Sequence, residues 1–183
     1  MAPVRYADDD LYTVKTLVRL RTPSLIVGMV LGIALSLVTS RFEEVITTHV
    51  EIAFFIPFVV YMASAVGSQT QSIYTRDLKS GKARFTNYLA KELGIGSILG
   101  VILGVVSWFI VAAWFSSGSL ALAVGLSMFA AIATAPLVAL ITTQVLQLEH
   151  QDPAVGAGPI ATVIQDTISV TLYGLIATHI LLS

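Results

Sequence analysis

Residues 152–182 read DPAVGAGPIATVIQDTISVTLYGLIATHILL: apolar over most of their length, with one carboxylate, Asp166, in the middle. As a helix rising about 1.5 Å per residue, this run is long enough to cross a hydrocarbon core about 30 Å thick. Four other runs share its character, at 24–40, 52–73, 93–116 and 120–146. Of the 183 residues, 56% are hydrophobic and 11% charged, whereas about a quarter are charged in a soluble domain. The expected fold is therefore an all-α integral membrane protein with five transmembrane helices, and a soluble enzyme or nucleic-acid-binding module is excluded. No nucleic acid is expected among its partners, and the lipid bilayer is.

The charges orient those spans. Of ten basic residues, Arg5, Lys15, Arg19 and Arg21 precede the first span, and Arg76, Lys79, Lys82, Arg84 and Lys91 lie between the second and third. With five spans both groups fall on one face, and basic residues in short loops mark the cytoplasmic side. The tenth, Arg41, lies opposite beside Glu43 and Glu44, in an external acidic loop. The expectation is a multi-pass protein of the cell membrane, amino end cytoplasmic and carboxyl end outside. Residues 1–23 lack the apolar core and cleavage pattern of a signal peptide; they read as a cytoplasmic amphipathic segment whose arginines can meet anionic headgroups. Residues 24–183 form the membrane domain. With no cysteine in the chain, disulfides, thiolate ligands and a thiol nucleophile are all absent.

Within the spans, Gly28 and Gly32, and Gly96, Gly100 and Gly104, recur every four residues and read as faces for close helix packing. Pro57 and Pro136 each free a backbone carbonyl that needs a neighbour or water. Span two turns polar towards its cytoplasmic end, where Ser64, Ser68, Gln71, Ser72 and Thr75 share one helical face. That face serves either hydrogen bonding to other helices or a lined pathway. In span five, Thr162, Gln165, Asp166, Ser169 and Tyr173 form one polar stripe.

Asp166 follows Asp152 by 14 residues, or about 21 Å of helix, well inside the membrane. A carboxylate at that depth costs at least about 2.5 kcal/mol on insertion scales. No lysine, arginine or histidine in any span lies at comparable depth to offset it, so a bound cation or proton is the expected partner. Asp152, before Pro153, either caps its helix or lines the cytoplasmic mouth. Glu43 and Glu44, with Glu51, are solvated loop residues or raise the local cation concentration.

These residues together resemble the membrane domain of the MgtE family of magnesium channels and transporters. The segment RFEEVITTHVEIAFFIPFVVYMASAVGSQTQSIYTRDL is similar to the family's FEE, FFIP and Gly-Thr-Gln region. The quoted stretch carries its DPA…GP…D…Y signature at Asp152, Pro153, Ala154, Gly158, Pro159, Asp166 and Tyr173. The resemblance implies Asp166 as the ion-selecting carboxylate, assisted by the backbone carbonyl of Thr162. It implies a homodimer with a pore on the two-fold axis, lined by spans two and five of both chains, Ser64, Ser68, Gln69, Gln165 and Ser169 being further pore or mouth candidates. Where the family has Gly-Asn-x-Gly-Thr-Gln, this chain reads Ser64-Ala65-Val66-Gly67-Ser68-Gln69, so the pore-facing asparagine is replaced by Ala65. Many members also carry soluble amino-terminal and CBS domains that sense cytoplasmic magnesium; with 23 residues before the first span, this chain is expected to lack that sensor.

The function expected on this basis is conduction of hydrated Mg2+ into the cytoplasm, with no cofactor and no enzyme chemistry; the residues do not rank Mg2+ against Mn2+, Co2+ or Ni2+. An exchanger in which Asp166 alternates between proton and metal is the alternative. An intramembrane protease needs two facing acids or a base beside a nucleophile; span five has one acid, and His49, His150 and His179 sit near span ends. A scaffold subunit without flux of its own is the remaining class.

Overall fold

A computed structural model describes residues 9–81, 83–148 and 153–183. The helices are α1 (Val14–Ser40), α2 (Glu43–Thr48), α3 (Glu51–Lys79), α4 (Phe85–Phe115), α5 (Gly118–Leu148) and α6 (Pro153–Leu181). All but the short α2 are long and apolar enough to cross a membrane, giving the five spans expected, and no strand occurs among the described residues.

Each helix outruns its apolar core. α1 begins at Val14, capped by the Thr13 hydroxyl, which accepts from the Thr16 amide at 3.4 Å. It continues through Arg19, Arg21 and Pro23, so the basic segment is continuous with the first span. α2 opens with Glu43 and Glu44 in its first turn, where negative side chains complement the positive end of the helix. Many hydroxyls bond back to a carbonyl one turn earlier, as Thr39 does to Leu35 (2.9 Å), Thr143 to Ala139 (2.7 Å) and Thr171 to Thr167 (2.7 Å). A hydroxyl satisfied within its own helix needs no water in an apolar setting.

α5 is the central helix. It packs against α3, α4 and α6, and Ala121, Val124, Met128, Ala131, Ile132, Ala135 and Leu140 are fully or almost fully buried on it. α4 joins it along the glycine face: a Cβ at Gly104 would stand 2.8 Å from the Gly125 carbonyl oxygen, and one at Gly100 2.9 Å from that of Phe129. The spacing of four therefore marks backbone-to-backbone contact, as read from the sequence. The pair on α1 differs, since a Cβ at Gly32 would meet nothing within 4 Å; the close approach read there is absent at Gly32 within this chain. α1 packs on α6 and buries none of its own residues. Its outward Leu25, Ile26, Met29, Ile33 and Leu37 are exposed, as lipid-facing side chains are.

Rings pin α3 to α4 at both ends. Phe55 meets Phe115 at 5.4 Å and Trp114 at 6.3 Å between centroids, and Tyr74 meets Tyr88 at 4.9 Å. The Lys79 end of α3 adds three polar ties on one of its faces. Thr70 donates to Glu92 at 2.8 Å, Tyr74 to Gln144 and Tyr88 to Asp77. These hold α3 by one side and leave its serine-rich side uncovered.

Candidate functional site

On α3, Val59, Ala63, Val66, Gly67, Thr70 and Tyr74 are buried. The opposite side carries Ser68, Gln69 and Ser72, all exposed, with Ser64, Gln71 and Thr75 half-buried at its edges. Polar side chains exposed at membrane depth do not suit a lipid-facing surface. The stripe read from the sequence is thus an open polar face in the single chain.

α6 crosses beside it. Its polar stripe divides by depth. Gln165, Ser169 and Tyr173 are buried: the Gln165 amide donates to the Ala131 carbonyl (3.3 Å) and to Ser169 Oγ (3.1 Å), and the Tyr173 hydroxyl to the Ile52 carbonyl (2.9 Å). Gln165 and Tyr173 thereby tie α6 to α5 and α3, and the Gln165–Ser169 bond lies within α6. Asp166 is half-buried and Thr162, one turn earlier, exposed, on the side of α6 near the open face of α3.

The two faces meet at one bond: Ser64 Oγ donates to Asp166 Oδ1 at 2.6 Å, across 102 positions of sequence. Among the described residues no ion pair includes Asp166; Arg21–Asp9 and Arg76–Asp77 lie near helix ends. Below the bond, a narrow crevice between α3, α5 and α6 is lined by Ser64, Ser68, Gln71, Thr162 and Gln165. Gln165 Oε1, buried there, has no hydrogen-bond partner among the described residues. No group of three or more histidine or carboxylate side chains gathers among the described residues to cage a metal, which leaves Asp166 as a solitary acid on a polar seam.

The remaining candidates fall elsewhere. Asp152 lies outside the described residues. Glu43 and Glu44 are exposed on α2, Glu43 at the edge of an open crevice between α1 and α3. Glu92, which the sequence reading passes over, is a buried acid in a spanning helix; it is bonded to Thr70 and borders a cavity of about 380 Å³ with Asp77, Arg84 and Lys91. A signal for it existed. Glu92 precedes Gly96, Gly100 and Gly104 by multiples of four, so it sits on the packed face of α4.

The family model for the MgtE divalent cation transporters matches residues 56–176, which includes α6 through Asp166 and most of α3. The chain belongs to the MgtE family. Two relatives are the proteins named magnesium transporter MgtE of Enterococcus faecalis (strain ATCC 700802 / V583) and of Bacillus subtilis (strain 168). They are 27% and 26% identical to it over 161 residues, in each case 86% of this chain. The chain spans 36% of the length of each. Members of the MgtE family are transporters, and within the matched region lie both halves of the Ser64–Asp166 pair.

Proposed function

We propose that this chain conducts hydrated Mg2+ into the cytoplasm through a pore formed by two copies, with Asp166 of each copy as the selecting carboxylate. The observation that carries this reading is the seam between α3 and α6, where a half-buried acid with no ion-pair partner among the described residues adjoins an uncovered row of Ser68, Gln69 and Ser72. A polar face at membrane depth needs protein or water over it. A second copy related by a two-fold axis supplies both, enclosing a water-filled path between two such seams.

Mg2+ dehydrates reluctantly and keeps several waters, so it suits a wide polar path with one or two carboxylates rather than a cage. Two Asp166 side chains place a charge of −2 around one hydrated ion, and the Thr162 carbonyls accept hydrogen bonds from its waters. Entry down an inside-negative potential yields about 4.6 kcal/mol per 100 mV for a divalent ion, twice the figure for one charge. No coupled reaction is needed.

Purified protein in liposomes, with an imposed inside-negative potential, is expected to pass Mg2+ inward without moving protons outward. Flux that stops when a counter-moving proton is denied identifies the exchanger, and no flux at all identifies a scaffold. Orientation is tested separately. A tag after Ser183 should be accessible from outside intact cells and one before Met1 should not; protection of both ends would contradict a five-span chain in this orientation.

A further inference from the structure

We propose that the cavity at the corner between α3 and α4 binds a phospholipid of single negative charge, its phosphodiester held by Arg84 and Lys91. The cavity, about 380 Å³, lies between Asp77 near the Lys79 end of α3 and the opening turns of α4. Both signs of charge line it. Asp77 is paired with Arg76 at 2.9 Å and accepts from the Tyr88 hydroxyl, and Glu92 accepts from Thr70 at 2.8 Å. Arg84 and Lys91 line the same cavity yet form no ion pair among the described residues. Together with Arg76 the cluster holds three cations and two carboxylates, so one negative charge brings it to neutrality. An anion also suits the start of α4, where no side chain caps the first amides.

The surroundings favour a lipid over a free anion. Residues 84–92 directly precede the apolar run that begins at 93, so the cavity lies at headgroup level, where basic side chains meet lipid phosphate. Its apolar edge is Ile95. From there Ile98 and Ile102, both exposed, continue at spacings of three and four the face of α4 that carries Arg84, Tyr88 and Lys91. A phosphate held at the arginine and lysine thus has its acyl chain running down a strip already turned towards lipid. The headgroup is selected by charge. A phosphodiester of an uncharged alcohol, as in phosphatidylglycerol, supplies the single negative charge, whereas ethanolamine or choline on the same phosphate brings a cation into a cluster already in excess of them.

The test titrates the purified full chain, in an uncharged detergent, with short-chain lipids of identical tails bearing glycerol, ethanolamine or choline headgroups. Bound lipid is counted by native mass spectrometry. Phosphatidylglycerol is expected to bind most tightly and to raise the unfolding temperature. Arg84→Gln and Lys91→Gln should each weaken its binding about fivefold and the double variant about thirtyfold, the share of one and of two basic groups near a membrane surface. Arg84→Lys combined with Lys91→Arg keeps both charges and should bind within a few-fold of the original. Arg41→Gln, which removes one exposed charge beside α2, should leave the affinity unchanged. Equal affinity for the three headgroups overturns the proposal, and so does unchanged binding in the glutamine variants. A loss in Arg41→Gln equal to that in Arg84→Gln also overturns it, since attraction would then follow net charge rather than this cavity. Inorganic phosphate that displaces the lipid at equal concentration makes the site one for a soluble anion and defeats the lipid assignment. Should the double variant fail to fold, the two single variants decide.

Discussion

Asp166→Asn protein is expected to fold normally and to carry Mg2+ at least about tenfold more slowly, since each 1.4 kcal/mol of lost ion stabilisation already corresponds to tenfold. Asparagine keeps the size of the side chain and an Oδ1 that accepts from Ser64, so the 2.6 Å tie between α3 and α6 has a substitute. What disappears is the charge, and with it a burial cost of at least about 2.5 kcal/mol at mid-membrane. Thermal unfolding should therefore occur at the same temperature or a higher one while flux collapses. Acidification works in the same direction, because a protonated carboxyl has lost the same charge, and added Mg2+ opposes it by mass action. A correctly folded variant with undiminished flux would make the aspartate structural.

The second large effect concerns stability. Gly104→Val is expected to lower the unfolding temperature sharply and to yield aggregated protein. Even the first added carbon would stand 2.8 Å from the Gly125 carbonyl oxygen and 3.3 Å from Phe129 Cβ, and neither backbone can give way without separating α4 from α5. Overpacking of this kind typically costs about 1–3 kcal/mol, occasionally more. Gly94 lies on the same helix with nothing within 4 Å of a Cβ, so Gly94→Val is the matched control and should unfold near the wild-type temperature. Equal stability of the two variants would show that α4 does not dock on α5 along this face.

The five spans were legible because a membrane helix must be apolar for about 20 residues, and nothing in a soluble core demands that. Their ends were not. α3 runs on to Lys79 and α4 starts at Phe85, beyond the apolar runs ending at 73 and beginning at 93, because backbone hydrogen bonding continues through Arg76, Lys79 and Lys91 wherever headgroups or water solvate them. The glycine face of α4 could be read from spacing alone, and Glu92 could have been found by extending that spacing one step. Asp166 stood out by its chemistry in an apolar setting. Its bond to Ser64 did not, since the partners are 102 residues apart and the serine is one of several hydroxyls on its face. Periodicity likewise grouped Gln165 and Ser169 with Asp166, whereas packing against α5 separates them by burial: one helical stripe is wide enough to face both a neighbour helix and an open seam.

The most direct test of Asp166 as the ion site uses Mn2+, a paramagnetic ion of the same charge, titrated into purified protein in lipid nanodiscs and followed by electron paramagnetic resonance. One Mn2+ per two chains, still carrying coordinated water and lost in Asp166→Asn, is the expected result. Binding of the same stoichiometry and hydration in the Asp166→Asn protein would contradict it.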